Sequence, residues 1–215
     1  MEFCIGQIIS KGEFSHRDVE KLRGYFGTRF IDNDIFHNHK GKYEFQYRFP
    51  KIQYRLIDNR LSLFAVGESI AIMKECLESL DTITIMNNKI KIDDIEYSNL
   101  GEDFFVDEKL HKYKFETIWL ALNQENYIKY LAGEFDIDRQ IQNNLLSNFK
   151  GLGIKVDKQI LAKGDLQPVK VNIKDVRMVG FKGEFVSNVV IPEYMALGKR
   201  QSIGFGMVRG FKEGL

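Results

Sequence analysis

Two histidines stand one residue apart in the segment Phe36-His37-Asn38-His39-Lys40-Gly41-Lys42-Tyr43, the densest group of titratable side chains in the sequence. An imidazole titrates near neutral pH, so it can remove a proton in one state and donate a proton in the other. In RNA cleavage, a base deprotonates the 2′-hydroxyl, an acid protonates the leaving 5′-oxygen, and cations stabilise the charge on the phosphate. The segment therefore suits acid–base chemistry on a phosphodiester, with His37 and His39 as acid and base and with Lys40, Lys42 and Tyr43 beside the phosphate.

A His-x-His pair is also typical of two other structures, a solvated surface pair and a metal site. Asp32 and Asp34 precede the histidines and can supply carboxylate oxygens to a metal ion,. A metal-dependent nuclease therefore stays open as an alternative. His16 is interpreted as an exposed residue at a helix start, and His111, beside two lysines, as a surface residue.

A glycine-rich loop near the end of the chain runs from Ala196 to Met207 and leads into an apolar strand. Glycine permits positive φ and lets a ligand approach the main-chain N–H groups closely. Residues 194–212 hold four basic side chains and no acid. This pattern predicts contacts with a phosphate backbone, although a hairpin whose glycines only form the turn is the simpler interpretation. The candidate contacts are Gly198, Lys199, Arg200, Gln201, Ser202, Gly204 and Gly206.

Aromatic and basic residues alternate between positions 43 and 55. On a strand, this period sends Phe45, Tyr47 and Phe49 to one face and Gln46 and Arg48 to the other. After the break at Pro50, the alternation resumes as Ile52, Tyr54 and Leu56, with Lys51 before them and Arg55 between them. A half-buried strand explains the aromatic residues. The basic residues on the opposite face are predicted phosphate contacts, namely Arg48, Lys51 and Arg55.

The first half of the chain has the hydrophobic periods of a βαββαβ unit. Strands are predicted over 2–10, 44–57 with a break at Pro50, 61–66, 82–86 and 89–95, and helices over 15–26 and 69–80. Ser15 is the predicted N-cap of the first helix. This order is the ferredoxin-like plan, an antiparallel sheet covered by two helices.

The second half repeats this plan less clearly. A strand is predicted over 113–122, helix over 124–149 with an interruption near Gly133, a hairpin of 169–179 and 181–190 about Gly180, and a last strand over 204–210. We therefore expect an α+β protein of two tandem ferredoxin-like lobes, with residues 1–105 in the N-terminal domain and 106–215 in a degenerate C-terminal domain.

The amino-acid composition is typical of a globular protein with reduced cysteines. The hydrophobic content of 44% is enough for a packed core, and 31 basic residues nearly balance 30 acidic ones,. Cys4 and Cys76 lie far apart in apolar surroundings, which favours reduced thiols in the cytoplasm, and no C-x-x-C pair indicates zinc. No segment reads as a signal peptide or a membrane span, so we expect a cytoplasmic protein without a cofactor.

Several of these motifs, in this order, resemble the CRISPR-associated repeat-processing endoribonucleases of the RAMP superfamily, particularly the subgroup of type I-B systems. The matching stretches are Leu22-Arg23-Gly24-Tyr25-Phe26-Gly27, Phe36-His37-Asn38-His39, Tyr47-Arg48-Phe49-Pro50-Lys51-Ile52-Gln53-Tyr54, Val66-Gly67 and the loop from Gly198 to Gly206. The family's loop usually begins Gly-Leu-Gly, where this chain has Ala196-Leu197-Gly198.

The resemblance implies a tandem ferredoxin-like fold and binding of CRISPR repeat RNA, with Arg23 added to the contacts. It implies one metal-independent cut that leaves a 5′-hydroxyl and a 2′,3′-cyclic phosphate. It also places the catalytic histidine just after the first helix, where His37 and His39 stand. A non-cleaving RNA-binding subunit of a CRISPR complex and the metal-dependent nuclease stay as alternatives, and the sequence leaves a homodimer and contacts with effector-complex subunits open.

Overall fold

The computed structural model describes residues 1–36, 39–40, 44–45, 49–101, 103–174 and 176–211, with the backbone alone for 39–40 and 44–45. The chain divides into two compact units. Unit 1 consists of Met1–Glu102 together with Ser202–Gly204, and unit 2 consists of Asp103–Gln201 together with Phe205–Leu215.

Unit 1 contains a four-stranded antiparallel sheet and two helices. Its elements are β1 (Phe3–Ile9), α1 (His16–Arg29), β2 (His39–Lys40), β3 (Glu44–Phe45), β4 (Ile52–Ile57), β5 (Arg60–Val66), α2 (Ser69–Glu78), β6 (Thr82–Ile85), β7 (Asn88–Lys91) and β8 (Asp94–Asn99). The strand order in the sheet is β4-β5-β1-β8, and β2–β3 and β6–β7 form two small ladders. The order β1-α1-β4-β5-α2-β8 confirms the predicted βαββαβ plan of this half.

Helix α1 begins where the sequence predicts. The Asp18 carboxylate accepts hydrogen bonds from the backbone N–H and the hydroxyl of Ser15, both at 2.8 Å, which fixes Ser15 as the N-cap,. The helix buries Val19, Leu22 and Phe26 against the sheet. His16 is exposed at the helix start, as expected.

The central strand β1 is buried along most of its length, and α2 packs directly on it. A Cβ on Gly6 would lie only 2.7 Å from Leu77 Cδ1, so a larger residue there would displace the Leu77 side chain of this helix. The apolar face predicted for α2 is confirmed, because Met73, Cys76 and Leu77 are all buried,.

Unit 2 contains a second four-stranded antiparallel sheet with long strands. Its elements are β9 (Phe105–Phe115), α3 (Gln124–Leu131), α4 (Ile137–Gly151), β10 (Ala162–Ile173), β11 (Val176–Val190) and β12 (Val208–Gly210), and the strand order is β10-β11-β9-β12. The interruption predicted near Gly133 is confirmed, since it separates α3 from α4.

The core of unit 2 is strongly aromatic. The rings of Phe115 and Trp119 stack at 5.1 Å between centroids, and Phe115 also contacts Phe185 at 5.0 Å. Phe104 stacks on Phe149 of α4 at 4.0 Å. Trp119 is fully buried at the centre of this cluster.

Several strand boundaries predicted from the sequence are wrong, and one is the start of the last strand, because β12 begins at Val208 and not at 204. The hairpin does not turn at Gly180, which lies inside β11 opposite Val169; the chain turns after Ile173 instead. The strand predicted over 113–122 is β9, which ends at Phe115, and the strand predicted over 89–95 is two strands, β7 and β8. No helix within the described ranges is long and apolar enough to cross a membrane.

Candidate nucleic-acid interface

The residue immediately before the histidine segment is anchored in the core of unit 1. Phe36 ends a 3-10 turn that begins at Asp34, and only 7% of it is exposed. Its ring lies 5.6 Å from that of Phe26 and stacks on Phe30 at 5.5 Å. Strand β2 lies within the histidine segment and pairs with β3, so that His39 lies opposite Phe45 and Lys40 lies opposite Glu44. The core of unit 1 thus anchors the chain at Phe36, while β2 and β3 pair with each other.

The acid–base group itself lies outside the described residues. His37, Lys42, Tyr43 and the nearby Arg48 are outside them, as are the side chains of His39 and Lys40. Their roles stay predictions.

The metal alternative depends on the same two imidazoles. Asp32 and Asp34 are exposed carboxylates on the turn after α1. Within the described part of the chain, no three His, Cys, Asp or Glu side chains are placed to hold an ion. The histidine nitrogens that this alternative needs lie outside that part.

Two glycines of the loop occupy positions where a side chain does not fit. Gly198 and Gly206 have φ values of +82° and +68°. A Cβ on Gly206 would lie 2.1 Å from the carbonyl oxygen of Leu197, and one on Gly198 would lie 2.9 Å from that of Leu120. Positive φ and a close approach of backbone to backbone both require glycine there.

Main-chain hydrogen bonds fasten the loop to the rest of unit 2. Leu197 N donates to Gly206 O at 2.9 Å, which closes the loop on itself. Gly206 N donates to Ile118 O at 2.9 Å, and Lys199 N donates to Leu120 O at 3.0 Å. The basic residues therefore stand on a backbone that is already ordered.

Two asparagines of α4 also hold the loop and the segment before α3 in place by hydrogen bonds. The sequence analysis identified neither of them. The Asn148 amide donates to the carbonyl oxygen of Ala196 at 2.9 Å, and Asn144 Oδ1 accepts from Trp119 Nε1 at 3.0 Å. Their only sequence signal is the i, i+4 spacing on the otherwise apolar face that carries Ile141 and Leu145,.

The departure from Gly-Leu-Gly at the loop's first position has a structural explanation. Ala196 is fully buried, and its backbone forms an isolated bridge with Met207. Together with the Asn148 bond, this places position 196 in the interior of the unit, where a methyl group is accommodated.

The two loop cations differ in environment. Lys199 is half-buried, and burial lowers the pKa of its ammonium below the ordinary value,. Arg200 is a non-glycine residue at a φ of +57°. Among the residues that the structure describes, neither side chain forms a salt bridge, so both charges are available to an anion.

Unit 1 brings together two predicted RNA contacts that are 179 positions apart in the chain. Arg23 Nη1, on α1, donates to the Ser202 hydroxyl at 3.3 Å. Gly204 completes this segment of unit 1 at a φ of +83°, and a Cβ on it would lie 3.3 Å from the carbonyl oxygen of Tyr54. Gln201, which belongs to unit 2, is half-buried, and Lys51 is exposed just before β4.

Arg55, one of the predicted phosphate contacts, is not exposed to solvent. Its side chain is fully buried, where it donates to the Tyr54 carbonyl at 3.1 Å and to Gln53 Oε1. Its guanidinium also lies 5.5 Å from the ring centroid of Phe64. Burial lowers the pKa of Arg55 to about 9. The alternating pattern misplaced it because β4 is buried on both faces, from Ile52 to Arg55.

Both units match known families and solved structures. A model of the Cas6b N-terminal domain matches residues 1–102, and a model of the Cas6b C-terminal domain matches residues 105–211. A crystal structure of Cas6b is 31% identical, with a TM-score of 0.87 over 98% of this chain and 100% of that one.

Two further relatives extend the comparison. A crystal structure of the CRISPR RNA processing endoribonuclease Cas6b is 28% identical, with a TM-score of 0.76 over 98% of this chain and all of the other. An uncharacterized protein of Methanocaldococcus jannaschii is 35% identical over 113 residues, which are 50% of this chain and 77% of that protein. These likenesses confirm the tandem ferredoxin-like fold and the family expected from the motifs, and the chain belongs to the Cas6b family.

Proposed function

We propose that the protein is an endoribonuclease that binds CRISPR repeat RNA and cuts precursor CRISPR RNA within the repeat. One observation carries this proposal: models of the two Cas6b domains match the chain in order, over 1–102 and 105–211. The relative at 28% identity is a CRISPR RNA processing endoribonuclease and is covered over its whole length, which supports the same activity here.

The reaction we propose is a transesterification. One imidazole of the pair His37 and His39 takes the proton of a ribose 2′-hydroxyl, whose oxygen then forms a bond to the adjacent phosphorus. The bond from phosphorus to the 5′-oxygen breaks, and the second imidazole gives that oxygen a proton. The products are a 2′,3′-cyclic phosphate and a 5′-hydroxyl, and no metal ion enters the balance.

Charge stabilisation falls to the residues that follow. Lys40, Lys42 and Tyr43 would face the non-bridging oxygens, which gain negative charge as the pentavalent state forms. The burial of Phe36 supports a site in this segment, because the chain that leads into the segment is anchored in the core of unit 1,.

The glycine-rich loop supplies the proposed grip on the RNA backbone. Lys199 and Arg200 carry charges that no described carboxylate neutralises, on a loop fixed by its own hydrogen bonds. Arg23 and Ser202 form a second polar pair, in unit 1, within reach of a phosphate oxygen. We expect these groups to position the RNA without reading its sequence, since phosphate contacts carry no base information.

The test uses the full chain, its cognate repeat RNA and an excess of EDTA, beside the same RNA with a single 2′-deoxyribose at the cut site. Cleavage of the first RNA and not of the second supports transesterification. Tight binding without cleavage of either would identify a non-cleaving subunit, and activity restored only by a divalent ion would identify a metal-dependent nuclease.

Substitution then assigns the histidines. We expect His37→Ala and His39→Ala each to slow cleavage by about 10²- to 10⁴-fold while leaving RNA affinity within a fewfold of the wild type. His16→Ala is the matched control, since His16 is exposed at the start of α1. A double variant of 37 and 39 that cuts at the normal rate would show that the site lies elsewhere.

A further inference from the structure

Unit 2 contains a cavity that the proposed cleavage chemistry does not use. Its volume is about 310 Å³, within the range of small-molecule sites,. It lies where the start of α3 meets the start of β11, beside Lys199 of the glycine-rich loop. The lining residues come from these three places: Leu122 and Gln124, Tyr127 on α3, Arg177 and Val179 on β11, and Lys199.

The described charged side chains that line this cavity are both basic. Lys199 and Arg177 are the charged residues among the described residues that line it, and no acid is among those residues. Within the described residues neither forms a salt bridge. Burial holds the pKa of Lys199 below its ordinary value, so an anion beside its ammonium would relieve a cost that the unliganded protein carries,.

The walls of the cavity suit a planar ring. Leu122 is buried and Val179 is half-buried, so their side chains present apolar surface. The ring of Tyr127 is 43% exposed on α3, which leaves a face free for stacking,. The Gln124 side chain has no hydrogen bond to any described residue and offers an amide to the edge of a base.

Backbone hydrogen bonds hold these walls in place. Trp119 and Phe181 exchange two bonds of 2.9 Å, which join the segment before α3 to β11. Lys199 N donates to Leu120 O at 3.0 Å, which joins the loop to the same segment. The cavity is therefore largely preformed, and a ligand need not order it on binding.

We propose that this cavity binds one unpaired nucleotide of the repeat RNA, with its base against Tyr127 and its phosphate at Lys199 and Arg177. Lys199 belongs to both the loop and the cavity, so a strand bound along the loop continues into the cavity without a break. An aromatic ring beside basic side chains is the usual platform for single-stranded nucleic acid. This inference rests on the proposed function and adds to it a subsite that selects for a base in single-stranded form.

The experiment measures the affinity of the full chain for repeat RNA made uncleavable by a 2′-deoxyribose at the cut site. Abasic residues replace the nucleotides one at a time. With wild-type protein, we expect one position in an unpaired part of the repeat to lose about tenfold in affinity. The Tyr127→Ala variant should bind the intact RNA about tenfold more weakly than wild type does. Its affinity should not fall further when the base at that one position is removed.

One matched control lies on α3, beside Tyr127, and the other lies on β10, the strand that pairs with β11. Ile128→Ala changes a residue that is 68% exposed, one position along α3 and outside the cavity. Lys170→Gln removes one positive charge from β10, where Arg177→Gln removes one from the cavity. We expect Arg177→Gln to weaken binding of the intact RNA by about three- to tenfold and both controls to leave it unchanged.

The outcomes separate the subsite from the function. Suppose that wild type binds and cuts the repeat, but every abasic position weakens binding by wild type and by Tyr127→Ala equally. The subsite is then refuted, and the proposed endoribonuclease activity is retained. If the protein neither binds nor cuts the RNA, the function fails and the subsite fails with it. If free nucleoside 5′-monophosphates raise the melting temperature of wild type but not of Tyr127→Ala, while no abasic position distinguishes the two proteins, the cavity serves a free nucleotide and the proposal is overturned.

Discussion

Gly198 lies against the indole of Trp119: a Cβ at position 198 would stand 2.7 Å from Nε1, the same atom that donates to Asn144. Gly198, the first glycine of the glycine-rich loop, thus packs against the aromatic core of unit 2. Packing alone therefore requires glycine at this position, so a substitution there would lower stability as well as alter the proposed RNA contact.

Gly198→Ala should therefore destabilise the protein. Its φ of +82° and the clash with Trp119 together lead us to expect a loss of roughly 2–4 kcal/mol in the free energy of unfolding,. Thermal melts followed by circular dichroism measure this. Gly24→Ala is the control: nothing lies within 4 Å of a Cβ there, and in α1 it should add about 0.5–1 kcal/mol,. Equal melting temperatures for the two variants would contradict the packing argument.

Asn148→Ala should lower stability through the loop rather than through the helix. The change leaves the buried carbonyl of Ala196 without its donor, which costs about 1–3 kcal/mol,. Asn143→Ala removes the same side chain from an exposed position of α4 and should change stability by less than about 0.5 kcal/mol,. Chemical denaturation compares the two. We would abandon the role of Asn148 if both variants unfolded at the same denaturant concentration.

Replacing Arg200 by glycine should raise the stability of the fold and lower its affinity for RNA. At a φ of +57°, an arginine costs roughly 1–2 kcal/mol relative to an unstrained residue, so Arg200→Gly should stabilise the fold,. The same change removes the proposed phosphate contact, which should weaken RNA binding and reduce the slope of log affinity against log salt by about 0.7–1. Arg200→Ala keeps the strain and should lose only affinity. A glycine variant that binds RNA as the wild type does would remove Arg200 from the interface.

The lowered pKa of Lys199 predicts how RNA binding depends on pH. Its ammonium loses its proton at a lower pH than an ordinary lysine, whose pKa is 10.5, because burial disfavours the charged form,. A phosphate needs the charged form, so affinity should fall as pH rises toward 10.5. Lys199→Arg stays charged throughout that range and should give a flatter profile. Titrations with the 2′-deoxy RNA, which resists alkaline cleavage at that site, compare the two; parallel profiles would show that Lys199 does not contact phosphate.

Local signals predicted unit 1 well. Ser15, the 3.6-residue period of α1 and α2, and the alternating strands identify the βαββαβ order, because each signal acts within a few residues. Arg55 was misplaced for the opposite reason: whether a strand has one buried face or two depends on elements far away in sequence. Only the folded chain puts Phe64 beside its guanidinium.

Gly180 shows why the second half was harder. A glycine between two apolar runs predicts a turn, yet this one lies in the middle of a 15-residue strand. A Cβ there would meet Ile118 Cγ2 at 2.3 Å, so the glycine makes room for a chain 62 positions earlier in sequence. Close approach and turn formation select the same residue, and one sequence alone does not separate them.

Unit 1 is built from two separate stretches of the chain, and this affects how it folds during synthesis. A ribosome adds about 5–20 residues per second, so Ser202–Gly204 emerges on the order of 5–20 s after Glu102,. Until then the nascent N-terminal half exists without the stretch that approaches Tyr54 and bonds to Arg23. Translation itself thus delays completion of this half until the other has been made.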